Sequence, residues 1–197
     1  MTARGRGGVL RSAAVFFAAL SLAGCGGGDD SPTPCTTASF TPAIATIAAG
    51  DVFLGELINT CDTVEVAVIV NDLSGIWTVG FDLTFPAAIL AYDSRTAGPL
   101  LLQGSPAYPP VFLVNSSTPG VIQVTASRLL PDPSVSAVGN QVLMTITFRK
   151  VASGTGSIDF DDRPYPTSLV DEVVLDDSGN PRPASFQPDH GGIFIVP

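Results

Sequence analysis

The chain has 197 residues, of which 45% are hydrophobic and 14% charged, and its 9 Lys+Arg against 18 Asp+Glu give a formal charge of −9. That length suits one domain with a sizeable core better than two. So acidic a surface repels nucleic acid and bare anionic lipid, so neither is expected as a direct partner.

In chain order, the first feature is a basic start carrying Arg4, Arg6 and Arg11, followed by an apolar run from Ala13 to Ala23. An apolar run this short does not span a bilayer as a mature helix; it reads as the core of an export leader over residues 1–24. Leu22-Ala23-Gly24-Cys25 resembles the lipobox of bacterial lipoprotein precursors, which are lipidated on the cysteine and cut before it. The alternative is an ordinary secretion leader that ends near a cysteine. The resemblance implies an exported protein anchored through Cys25, since several acyl chains on one residue hold a membrane stably. Gly26, not Asp, follows the cysteine, which by the same resemblance favours the outer membrane or cell surface. Cleavage would leave 173 residues and remove three arginines but no acid, taking the charge from −9 to −12. Residues 25–34 then form a Gly/Asp/Pro tether that resists packing.

Cys35 and Cys61 remain in the exported part, where disulfides persist. A bridge between them is expected to tie the start of the domain over 35–197 to the rest. Free thiols are the alternative, and a zinc site the weaker one, with only His190 to assist.

From residue 40 onward the pattern is strand after strand. Thr63–Val70 is β-branched and stops at Asn71-Asp72. In Ile76–Phe85 the residues Trp77, Val79, Phe81, Leu83 and Phe85 alternate with Thr78, Gly80, Asp82 and Thr84, so the first set is expected inward. Pro86 ends that strand. Val121–Ser127, Val142–Phe148 (Val142, Met144, Ile146 and Phe148 inward) and Ile193–Val196 read as further strands. The only helical signal, Ala87–Leu90, is too short to stand alone. Short strands punctuated by Gly, Pro, Asn and Asp imply two packed antiparallel sheets.

Several blocks, in order, resemble the cohesin module. Gly50-Asp51 followed by Asp62–Val68 matches its opening strand with an insertion bearing Cys61. Gly75–Phe85 resembles its third strand and Ala88-Ile89-Leu90 the segment after it. Asn115–Val124 resembles the approach to a later strand, Gly139-Asn140 through Phe148 a "G-x-L-x-x-I-x-F" block, and Leu175–Pro181 with Gly191–Val196 the last loop and strand. The resemblance spans about residues 40–197. It implies an all-β fold, a nine-stranded antiparallel β-sandwich of jelly-roll topology. It also implies a non-catalytic module that binds a protein, a dockerin in the classical case. Phe85-Pro86-Ala87 stands where the family has Tyr-Asp-Pro.

Catalytic parts are few. His190 is the only histidine and reads as a solvated loop residue. No nucleophile elbow, zinc-protease or phosphate-loop motif occurs. The pairs Asp161-Asp162 and Asp176-Asp177 place neighbouring carboxylates on opposite sides of an extended chain. No enzyme and no resident cofactor is therefore expected. Calcium is the one metal worth weighing, with Asp171, Asp176, Asp177 and Asn180 as oxygen donors among the acidic residues of the last quarter; the bland reading is an acidic turn around Gly179. For binding, the outward Thr78, Asp82 and Thr84 would lie on the sheet that receives dockerins in cohesins. A carbohydrate-binding module would instead present exposed rings, here Tyr92, Tyr108 and Tyr165, with Trp77 if the strand faces the other way. A purely structural envelope lipoprotein is the third possibility. Asn115-Ser116-Ser117 is a formal glycosylation sequon of little weight in a bacterial lipoprotein.

Overall fold

A computed structural model describes residues 35–104, 106–161 and 172–197. The leader, Cys25, the tether, Asp162, Tyr165 and Asp171 lie outside the described residues. Cys35–Pro197 forms one compact unit.

Thirteen strand segments occur among the described residues: β1 (Ser39–Pro42), β2 (Asp51–Glu56), β3 (Thr63–Asn71), β4 (Thr78–Thr84), β5 (Leu90–Ala97), β6 (Val111–Asn115), β7 (Val121–Ser127), β8 (Asn140–Lys150), β9 (Gly154–Phe160), β10 (Val173–Leu175), β11 (Pro181–Arg182), β12 (Ser185–Phe186) and β13 (Gly192–Val196). The only helical element described is a 3-10 turn, Pro188–His190. Ala87–Leu90 makes a single turn, with the Ile89 and Leu90 amides donating to the Pro86 carbonyl. The segments form two sheets. One runs β12-β2-β3-β8-β5; in the other, of eight strands, β4 is central, flanked by β7 and β6 on one side and by β9, β13 and β1 or by β10 and β11 on the other. This is an all-β sandwich. Its pairings are antiparallel except β12 with β2, which is parallel because the chain arrives there from β11 of the other sheet and not through a hairpin.

Alternation builds the core. Val64, Val66, Val68 and Val70 of β3 and Ile146 and Phe148 of β8 face Val79, Phe81 and Leu83 of β4, Ile122 and Val124 of β7, and Phe194 of β13. Phe81 packs edge-on to Phe160 at 5.7 Å, and Phe160 edge-on to Phe186 at 5.4 Å. Gly192 is required by contact, since a Cβ there would collide with the Phe40 ring and the Thr41 carbonyl.

Three expectations change. Met144, Ile146 and Phe148 of β8 are inward as expected, but Val142 is not: a bulge against Val68/Ile69 leaves Leu143 fully buried and Val142 half-buried, because the extra residue shifts the alternation by one. Trp77 is half-buried and outside the core cluster, while Ile76 is fully buried. The regular strand starts only at Thr78, after an isolated bridge between Ile76 and Val135, so strict alternation does not extend back to Trp77. Finally, much of the stretch taken as an insertion before Asp62 is strand β2, paired with β3 from Val52↔Val70 to Glu56↔Val66.

The Cys35–Cys61 disulfide is present, with Cα atoms 5.6 Å apart. It ties the residues before β1 to the β2–β3 connection, beside the Ala38 amide donating to the Thr60 carbonyl at 2.9 Å.

Candidate binding face

The eight-stranded sheet is the larger of the two, and its register sets the neighbours on its outward face. Between β6, β7 and β4 the register aligns Asn115 with Gln123 and Asp82, Leu113 with Thr125 and Gly80, and Val111 with Ser127 and Thr78. Beyond β4, Thr84 sits beside Asp159, and β9 and β13 bring Ser157 to Ile193 and Thr155 to Ile195.

Polar side chains join these strands. Asn115 Nδ2 donates to Gln123 Oε1 at 2.7 Å, and Gln123 Nε2 donates to Asp82 Oδ2 at 3.3 Å, giving a hydrogen-bonded line across three strands. Thr78 Oγ1 and Ser127 Oγ are 2.7 Å apart, and the Thr84 hydroxyl donates to the Asp159 carbonyl at 3.4 Å. Exposed hydrophobic residues lie on both sides of β4: Val111 and Leu113 (68% exposed) on the edge strand β6, and Ile193 and Ile195 (54% and 50%) on β13, one strand in from the β1 edge. The sequence reading missed all four, although the exposed–buried alternation of β13 was legible in Gly192–Val196.

Asp82 departs from expectation. Its position in the alternation is outward, but it is only 1% exposed, and its carbonyl accepts the Asp161 amide. Thr78 and Thr84 are half-buried. Asp82 thus braces the sheet from the outer side, and a charge reversal there would test folding before it tested binding.

The other candidates lie elsewhere. Tyr92 is half-buried against the core; burial pushes its hydroxyl above the ordinary value, partly offset by the Arg95 guanidinium. Tyr108 is 53% exposed, on a loop whose Ala107 and Tyr108 amides donate to Asp132. Among the described residues the paired rings are all phenylalanines. His190 is buried, not solvated: Nδ1 lies 3.0 Å from the Val52 carbonyl and Nε2 4.0 Å from Asp51, which fastens the 3-10 turn to β2. Asp176 Oδ1 accepts the Ser178 and Asn180 amides, and the Asn180 amide donation is the main cause holding its carboxyl below the usual range. With Gly179 at φ +80°, Asp176, Asp177 and Asn180 form a self-closed turn, and no cluster of three metal-ligating side chains occurs among the described residues.

The sequence reading also missed an open groove of about 720 Å³ between β5 and β6, lined by Tyr92, Asp93, Arg95, Phe112, Leu113 and Asn115 among others. The Arg95 guanidinium lies 4.9 Å above the Phe112 ring.

No protein-family model matches the chain, and no curated protein matches it by sequence. Solved structures do. The sixth cohesin of scaffoldin B from Acetivibrio cellulolyticus, solved with a Cel5 dockerin, superposes with a TM-score of 0.52 at 20% identity, covering 71% of this chain and 95% of its own. A type II cohesin domain from the cellulosome of the same organism gives 0.53 at 13% identity, covering 82% and 96%. The second type II cohesin module of its adaptor scaffoldin ScaA gives 0.53 at 13%, covering 71% and 90%. The structural neighbours of this chain are cohesin modules, and its fold is the cohesin β-sandwich.

Proposed function

We propose that this chain is a non-catalytic binding protein that captures a protein partner, dockerin-like in the first instance, on the outward face of its eight-stranded sheet, and that lipid on Cys25 holds it to the cell envelope. The observation that carries the reading is the exposed part of the face: the hydrogen-bonded Asn115–Gln123 pair with apolar Val111 and Leu113 on β6, and exposed Ser157, Ile193 and Ile195 on β9 and β13. That composition, apolar contacts with a polar ladder to fix register, suits a protein surface better than a sugar, which needs exposed rings. A cohesin of the same fold has been solved with a dockerin bound, which supports the partner class.

The test is calorimetric titration of the full chain with purified dockerin modules, alongside Ile195→Asp and Ser157→Lys on the face and Ile58→Lys on the 79%-exposed β2–β3 connection. Face variants should weaken binding at least roughly tenfold, with Ile58→Lys neutral. Equal binding by all three variants would remove the face from the proposal, and no binding to any dockerin would remove the partner class.

A further inference from the structure

We infer that β6 is a self-association edge, through which two copies of this chain pair antiparallel about Leu113. The edges of the two sheets are unequal. β1 carries Pro42, while β11 and β12 are two residues each. β5 is interrupted by a bulge between Tyr92 and Ser94 and carries exposed Asp93 and Arg95. These are the devices that keep strand edges from pairing. β6 has none of them: Val-Phe-Leu-Val-Asn, regular in register with β7, with no proline, charge or bulge. Its groove-side backbone N–H and C=O groups point away from β7 at every second residue.

The occupant follows from symmetry and charge. An antiparallel pair centred on Leu113 sets Leu113 against its own copy, Phe112 against Val114 and Val111 against Asn115, so the apolar contacts fall at the centre of the pairing and the Asn115 side chains at its two ends. Leu113, 68% exposed, would gain its own copy as a cross-strand neighbour while still facing outward. The chain as a whole carries −9 and repels its copy, but this edge is locally neutral. β6 is uncharged, and the groove beside it holds one acid and one base, Asp93 and Arg95. Arg95 is level with Phe112, one residue from the two-fold. The axis therefore carries it to the level of Val114 of the second copy, and the two copies' Arg95 residues to opposite sides of the two-fold. Two copies meet here without the like-charge penalty they would meet on most of the surface. Such pairing joins the two outward faces into one continuous sheet, giving a bivalent platform. The inference stands on the β6 edge and does not depend on the partner-binding reading.

Sedimentation equilibrium of the full chain tests it, with Leu113→Lys, Leu113→Cys and the control Ile58→Lys. The wild type and Ile58→Lys should show a reversible monomer–dimer equilibrium. Leu113→Lys, which opposes two cations across the axis, should raise the dissociation constant by roughly tenfold or more. Leu113→Cys should form a covalent dimer under mild oxidation that the wild type does not, because directly opposed antiparallel residues lie within disulfide reach. A chain that sediments as a monomer at every soluble concentration overturns the inference. So does a dimer indifferent to Leu113→Lys, or an edge that takes up unrelated extended peptides but not its own copy.

Discussion

Arg128 is among the largest fully buried side chains, at 1% exposure, and it offers a direct test of how the end of the sandwich leading into β6 is held. Its Nη1 donates to the Leu101 carbonyl at 2.8 Å and the Gln103 carbonyl at 2.9 Å. It thus pins the turn over residues 99–104 to the end of β7, where its own amide donates to the Trp77 carbonyl. Replacement by Met keeps most of the volume and removes the buried charge. Each hydrogen bond to a charged group contributes about 1.5–3 kcal/mol, and two are lost. Relief from burying a guanidinium returns part of that sum, as in other replacements of buried ions by apolar groups. The expected loss for Arg128→Met is therefore about 2–4 kcal/mol, or roughly 5–15 °C in melting temperature for a domain of this size. Arg128→Lys should do no better, because a single ammonium keeps the buried charge without the planar fork. Urea denaturation gives the magnitude. Hydrogen exchange gives the location, since the Leu102 and Gln103 amides, bonded to Pro99 and Leu100 carbonyls, should exchange faster than those of β3 and β8. A loss under about 1 kcal/mol, or faster exchange spread evenly over both sheets, would refute the view that Arg128 anchors this turn.

Three further outcomes are expected. Cys61→Ser should destabilise the domain by about 3 kcal/mol in denaturant unfolding, since the bridge closes a loop with a sequence separation of 26 that the unfolded chain would otherwise leave open; an unchanged midpoint would mean the tie to Cys35 is redundant. The depressed carboxyl of Asp176 contributes stability that is present above its unfolded value of 3.8 and lost as pH falls through the lower folded value. Asp176→Asn should therefore flatten the acid limb of the stability profile, and an identical limb in the variant would sink the assignment. Metabolic labelling with an alkynyl fatty acid should mark the wild type and not Cys25→Ser, and label retained in the variant would move the anchor elsewhere.

Much of the fold was legible because burial on one side imposes alternation. β3, β4, β7 and β13 were read from it, and the order of the blocks carried the cohesin resemblance. Other strands escaped for identifiable reasons. β5, Leu-Ala-Tyr-Asp-Ser-Arg-Thr-Ala, and β9, Gly-Thr-Gly-Ser-Ile-Asp-Phe, have weak local strand preference and are held by pairing with β8 and with β13 and β4. β2 was taken for an insertion because its residues are buried along nearly their whole length, which erases the alternation.

The sequence by itself determined the local and patterned features: the acidic balance, the strand periodicity, and the glycine and aspartate of the 176–180 turn. Tertiary structure decided which alternation was interrupted and which residues met. The β8 bulge exchanged Val142 for Leu143, and the irregular entry to β4 kept Trp77 out of the core. Asp82 became a buried brace, its carboxylate bonded by Gln123 and its carbonyl by the Asp161 amide, and His190 was drawn against β2. Leu113 and Arg95, far apart in sequence, became neighbours only when the edges of the two sheets came together. These outcomes depend on strand order, register and edge position, which are set by contacts between distant segments and leave no trace in any single window of the chain.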